Sequence, residues 1–196
     1  MEQDRSWAPA RRPPAELDAG PVVLRRWRDA DLEELVAEIE RSRDHLAPWQ
    51  AWAAAADRDS IATFLLASDA AFNARTDFGY GVRLPDGRLA GGMGLHARIG
   101  RGGLEIGYWI AADRINRGYA TAAAGTLTEA AFELPDIERV EIHCDEANVR
   151  SAAVPRKLGY RLDRVVEDSV DAPNEIGRSM VWVRERPRQA ASRPSS

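Results

Sequence analysis

An α/β domain with a mixed central β-sheet flanked by helices is the fold class that this 196-residue sequence predicts. Three observations lead to it. Strand-like stretches alternate with stretches of helical period, in the order β, α, α, α, β, β, β, α, β, α, β, β. The passage Glu105 to Thr121 reads without a break as strand, short loop and helix start. The length suits one domain that buries a sizeable core. Residues 1–20 and 186–196 are rich in Pro, Ala, Arg or Ser and lack any period, so the folded domain is expected over 21–185, with unstructured ends.

Val22 to Trp27 begins the domain as a strand rich in β-branched and apolar residues. Asp29 suits a helix N-cap, with Leu32, Leu35, Val36 and Ile39 as one apolar stripe. His45-Leu46-Ala47-Pro48-Trp49-Gln50-Ala51-Trp52 sets two Trp around a Pro, which fits either a core pair or the aromatic wall of a cleft. Asp59-Ser60 opens the next helix, whose face carries Ile61, Phe64, Leu65, Ser68, Ala71 and Phe72, and which ends near Arg75. Phe78 to Leu84 is a strand, Asp86-Gly87 a hairpin turn, and Leu89 to His96 the returning strand. Gly91-Gly92-Met93-Gly94 within it points to a bulge or a close approach. After a glycine-rich turn, Leu104 to Ile110 is a strand, and a helix runs from about Gly118 to Leu134, stopped by Pro135. Val140 to Cys144 is a short strand. A helix follows Asn148, shortened or kinked because Pro155 lacks an N–H and clashes with the turn before it. Tyr160 to Val166 and Ser179 to Val183 close the chain as two strands.

Acidic residues number 31 against 27 Lys and Arg, a net charge of −4, which gives no electrostatic footprint for nucleic acid. Lys157 is the only Lys, a matter of base composition rather than recognition. The single Cys144 excludes an intrachain disulfide framework and suits a cytoplasmic protein. No secretory leader or membrane-length apolar run is seen. His45, His96 and His143 lack metal-ligand spacing, so no metal is expected.

Arg117 and Gly118 fall at a helix N-terminus, where the first N–H groups lack partners and the dipole is positive, a phosphate-binding arrangement. On spacing alone the same loop is equally an ordinary strand-to-helix turn. However, Glu105-Ile106-Gly107-Tyr108-Trp109 on a strand, followed by Arg117-Gly118-Tyr119-Ala120-Thr121 opening a helix, resembles the GCN5-related N-acetyltransferases. The likeness is greatest to the branch that acetylates ribosomal-protein N-termini, and it runs from about Pro21 to Arg184.

That resemblance implies a sheet whose central strands splay to admit the pantetheine arm of acetyl-CoA. It implies cofactor contacts from Trp109, Ile110, Ala111, Ile115, Asn116, Arg117, Gly118, Tyr119, Ala120, Thr121, Asn148 and Ser151. The amides of Trp109 to Ala111 are the expected oxyanion donors. Ile115 and Asn116 depart from the family loop, where Gln or Arg and Gly are usual, so weaker phosphate binding is expected. Trp49, Trp52, Tyr80 and Glu105 are the candidate acceptor-side residues. Glu105 is the candidate base, its pKa expected to be raised by partial burial. A surface Glu paired with Arg is the plainer reading. Asn148 serves either as a helix cap or as a pantetheine contact. Pro155 excludes a tyrosine acid at the family position, so Ser151 is the candidate donor to the leaving thiolate. Cys144 has no partner that would make it a nucleophile.

The expected reaction moves an acetyl group from acetyl-CoA to a primary amine, a protein N-terminus or a small molecule, by direct attack. Succinyl-CoA or another acyl-CoA as donor is the first alternative. A non-catalytic CoA-binding sensor is the second. Homodimers occur among related proteins, although no apolar strip in the sequence marks an interface.

Overall fold

The computed structural model describes residues 7–187. Its eight strands are β1 (Glu16–Asp18), β2 (Val23–Arg26), β3 (Asp77–Arg83), β4 (Leu89–His96), β5 (Gly103–Ile110), β6 (Arg139–Asp145), β7 (Arg161–Glu167) and β8 (Arg178–Glu185). They form one sheet in the order β1-β2-β3-β4-β5-β6-β8-β7. Every neighbouring pair is antiparallel except β5 with β6. Five helices cover it: α1 (Leu32–Leu46), α2 (Ala51–Ala55), α3 (Arg58–Ala74), α4 (Tyr119–Phe132) and α5 (Val149–Lys157).

Helices α1 and α3 lie on one face through Leu35, Ile39, Ile61 and Leu65, which pack with Trp27 and Leu89. On the other face, Ala123, Leu127 and Ala131 of α4 and Ala152 and Val154 of α5 join a larger core with Leu104, Ile106, Val140 and Ile142. Fully burying a Val, Leu or Ile side chain contributes roughly 1.5–3 kcal/mol, and an Ala methyl group roughly 0.8 kcal/mol. That repeated gain holds α4, which has no side-chain N-cap, against the sheet.

The parallel junction controls the site. β5 and β6 pair from Gly103↔Arg139 to Ile106↔Ile142 and no further. β6 continues to Asp145 against β8, while β5 continues to Ile110 against β4. The two strands therefore part after Ile106 and Ile142, and the expected splay is present.

Four expectations change. The residue at the N-cap of α1 is Asp31 rather than Asp29, which opens a short 3-10 turn (Asp29–Asp31) ahead of the helix. Residues 7–20 were expected to be unstructured, yet Glu16–Asp18 pairs with Val23–Arg25 and Trp7 packs on the core. Three residues in a Pro-rich segment are too few to show a period. Of the expected C-terminal tail, residues 188–196 lie outside the described residues, and Arg186 donates to the Ile137 carbonyl at 2.7 Å. The α3 cap is Asp57 rather than Asp59. Asp57 Oδ1 accepts the Ser60 N–H at 2.8 Å and Ser60 Oγ accepts the Asp57 N–H at 2.9 Å, a reciprocal pair that fixes the start two residues earlier.

Candidate active site

A cleft of about 800 Å³ opens where β5 and β6 part. Its floor on the α1–α3 side is unusually flat because β3, β4 and β5 place Gly79, Gly92, Gly94 and Gly107 there. Large side chains lie on the cleared surface. A Cβ at Gly79 would come within 2.9 Å of the Trp27 ring, and one at Gly92 within 2.5 Å of Trp109 Nε1. The aromatic side is completed by Trp49, Phe64 and Trp52, whose ring meets Trp109 edge-on at 6.2 Å between centroids. Trp49 and Trp52 are thus cleft residues rather than a core pair.

Alternation along β5 sorts the polar groups. Glu105, Gly107 and Trp109 share the face toward α1–α3, and Tyr108 is on the α4–α5 face. Glu105 is buried, and Arg98 grips it with two bonds, Nε to Oε2 at 2.8 Å and Nη2 to Oε1 at 2.5 Å. His143 Nδ1 stands 3.8 Å from the same carboxylate. Burial pushes the Glu105 pKa up, but the Arg98 hydrogen bonds and the charges of His143, Arg98 and His96 outweigh it and hold it below the ordinary value. The expected upward shift is therefore reversed. Sequence reasoning missed Arg98, which reaches Glu105 from across the β4–β5 turn.

On the opposite side of the splay, Asn148 caps α5, its Oδ1 accepting the Ser151 N–H at 3.1 Å. Tyr108 Oη lies 3.0 Å from both the Ser151 carbonyl and Ser151 Oγ. The cause is local. Residue 155 would normally donate its N–H to that carbonyl, and Pro155 has none. The phenol supplies the missing donor, and so sits beside the hydroxyl expected to serve the thiolate. Cys144 faces the same cluster. Burial raises its thiol to about 11, only partly offset by the Ser151 hydroxyl, so it is no nucleophile at neutral pH.

Tyr80 does not belong to the site. It is fully buried in the larger core, and its hydroxyl donates to the Pro14 carbonyl at 2.8 Å. Of the three expected oxyanion amides, that of Ala111 is already given to the Ala90 carbonyl at 2.9 Å. By alternation the Trp109 N–H points the same way, toward β4, which leaves the Ile110 N–H facing the splay.

The loop into α4 carries two left-handed residues on either side of Arg117, Asn116 at φ 60° and Gly118 at φ 80°. Residues 116–118 are exposed, and Gly118 offers no side-chain cap. The first-turn amides of Tyr119, Ala120 and Thr121 are thus open to an anion. Ile115 packs against the core, which anchors the loop but gives no phosphate contact. Arg117 is bonded only weakly, to the Asp113 carbonyl at 3.3 Å. Among the described residues no group of three or more His, Cys, Asp or Glu is placed to hold a metal.

Residues 22–161, more than two thirds of the chain, match the family described as acetyltransferase (GNAT) domain. The chain belongs to that family. Bacillus subtilis (strain 168) YdaF, provisionally named a ribosomal N-acetyltransferase, is 40% identical to this GNAT chain over 79 residues. That match covers 39% of this chain and 43% of the relative, less than half the length of either. Among solved structures, the microcin C7 self-immunity acetyltransferase MccE, in complex with acetyl-CoA and AMP, superposes with a TM-score of 0.80 at 19% identity, over 88% of this chain and 97% of that one. Mycobacterium smegmatis RimJ, in complex with CoA-disulfide, gives 0.77 at 22% identity over 92% and 88%. At these identities the structures bear out the GNAT fold.

Proposed function

We propose that this GNAT domain transfers an acetyl group from acetyl-CoA to a primary amine by direct attack. The observation that carries the reading is the splay after Ile106 and Ile142, which opens on the same molecule that presents an uncapped, exposed α4 N-terminus. The acetyl-CoA and CoA in the related structures support the donor. The pyrophosphate would bind the amides of Tyr119, Ala120 and Thr121, with Arg117 alongside. The pantetheine arm would pass into the splay beside Asn148, and the thioester carbonyl would meet the Ile110 N–H.

The two faces divide the labour. On the donor side, the Ser151 hydroxyl, braced by Tyr108, donates a hydrogen bond to sulfur as the C–S bond breaks. On the acceptor side, the Glu105 carboxylate draws the amine, as an ammonium, toward the thioester and holds it there. Trp49, Trp52 and Trp109 would flank the group attached to the amine. The name of YdaF, a ribosomal N-acetyltransferase, favours a ribosomal protein as acceptor.

Mass spectrometry of peptides beginning with Ser or Ala, and of small amines, after incubation with acetyl-CoA tests this. The reading predicts one acetyl group on the amine nitrogen of at least one acceptor, with release of free CoA. Transfer from succinyl-CoA in preference to acetyl-CoA would reassign the donor. No transfer to any acceptor would leave the sensor alternative standing.

A further inference from the structure

Glu105 attracts the amine, but its carboxylate is held by two bonds to Arg98 and its pKa is lowered, so it is a weak proton acceptor. An ammonium must lose a proton before its nitrogen can attack. The cleft holds a second group, unused so far. His96 ends β4, directly opposite Glu105 in the β4–β5 register, and its ring lines the cleft. Asp77, the first residue of β3 and the register partner of His96, places Oδ2 2.6 Å from His96 Nδ1.

From these contacts we infer that His96, oriented by Asp77, is the group that removes the proton from the acceptor amine. This inference rests on the acetyltransferase reading above. Three features on the page support it. A carboxylate accepts only, so the neutral imidazole must carry its proton on Nδ1, which leaves the Nε2 lone pair free. Nε2 makes no hydrogen bond among the described residues. Two glycines also clear its position: a Cβ at Gly107 would lie 3.1 Å from Nε2, and one at Gly94 would lie 2.9 Å from the adjacent ring carbon. The ring therefore extends over Gly94 and Gly107 on the same face of the sheet as Glu105.

The charged groups facing it are Asp77 from β3, Glu105 from β5, Arg98 after β4 and His143 from β6. Asp77 stays within hydrogen-bond reach of Nδ1 while Nε2 takes the proton. The step balances. Nε2 takes one proton from the ammonium, and the freed nitrogen lone pair forms the C–N bond to the thioester carbonyl. The C–S bond breaks, and CoA leaves as thiolate on the Ser151 side. After collapse, the amide nitrogen releases its second proton, and solvent and the imidazolium return one proton to the thiolate and one to bulk. Asp77 is a positioning residue, since it acts through His96.

The test combines one measurement that needs no acceptor with one that does. Nitrogen-15 NMR of the full chain should show His96 as the Nδ1–H tautomer at alkaline pH, and Asp77→Asn should shift it toward a mixture. An Nε2–H tautomer in the wild type would overturn the inference, whether or not any amine is acetylated. With the best acceptor from the peptide and amine panel, His96→Ala should lower kcat/KM for the amine by roughly 10²–10⁴-fold. Acetyl-CoA binding should stay unchanged, and added imidazole should restore part of the rate. The wild-type pH profile should show an acid limb. That limb should vanish in His96→Ala and persist in Glu105→Gln, whose main effect should be on KM. A limb that persists in His96→Ala and is lost in Glu105→Gln would return the base role to Glu105. Absence of transfer to every acceptor would count against the acetyltransferase reading instead, and the tautomer would still decide the assignment of His96.

Discussion

Tyr108 and Pro155 are separated by 47 positions in sequence and by one hydrogen bond's logic in space. Removing the phenol in Tyr108→Phe leaves the Ser151 carbonyl, inside the cleft wall, without the donor that Pro155 cannot supply. The expected cost is about 1–3 kcal/mol of stability, read by urea unfolding. Restoring a backbone donor with Pro155→Ala should make the double variant less destabilised than the sum of the two singles. Glu105 yields a pH prediction. Its folded pKa lies below the ordinary 4.5, so its contribution to stability is present above that value and is lost as pH falls through the lowered one. Thermal midpoints measured downward from pH 5 should therefore drop more steeply for the wild type than for Glu105→Gln. For Cys144 the sign is the opposite: a thiol raised to about 11 should react with iodoacetamide slowly at neutral pH, with a rate that climbs toward pH 11. Some of these residues were legible in the sequence and some were not. Glu105 and Ser151 were singled out as candidates through the family resemblance of their motifs. Arg98, Asp77 and His96 were not, because what gives them meaning is strand register, which no local pattern states. Tyr80 could have been placed correctly, since period two sets it with Phe78 and Val82 on the core face.

At the scale of elements, the α4 entry is the part that sequence described best. A strand, a loop and Gly118 at a helix start were all read directly, because glycine at a turn and an apolar 3.6 period are local signals. β1 was missed for the converse reason. It is three residues long and is held by pairing to Val23–Arg25, not by its own composition. The loop makes its own prediction. Gly118 sits at φ 80°, a conformation that β-branched residues resist. Gly118→Val should therefore move the first α4 amides and weaken acetyl-CoA binding about tenfold or more by calorimetry, while the far-UV spectrum stays unchanged.

For the whole molecule, the sheet among the described residues works as a partition that opens between β5 and β6. Antiparallel pairing seals it everywhere except at the β5–β6 junction, where the strands run parallel for four register pairs and then part. The donor chemistry proposed for Ser151 and the acceptor chemistry proposed for His96 and Glu105 fall on opposite faces of that opening. The alternation of β5 side chains enforces the separation. The sequence pattern indicated an α/β fold and its element order, but the splay came from family resemblance, since hydrophobic period carries no information on where two strands separate. The central claim is that the splay and the α4 N-terminus together hold an acyl-CoA. Thermal unfolding with acetyl-CoA, succinyl-CoA and CoA, each at about 100 times a trial Kd, tests it most directly. A ligand that binds only the folded chain then adds roughly 2.7 kcal/mol, a rise of about 5–10 °C for a domain of this size. The account predicts that rise with acetyl-CoA, and a rise about half as large or smaller in Gly118→Val. No rise with any of the three ligands would contradict it.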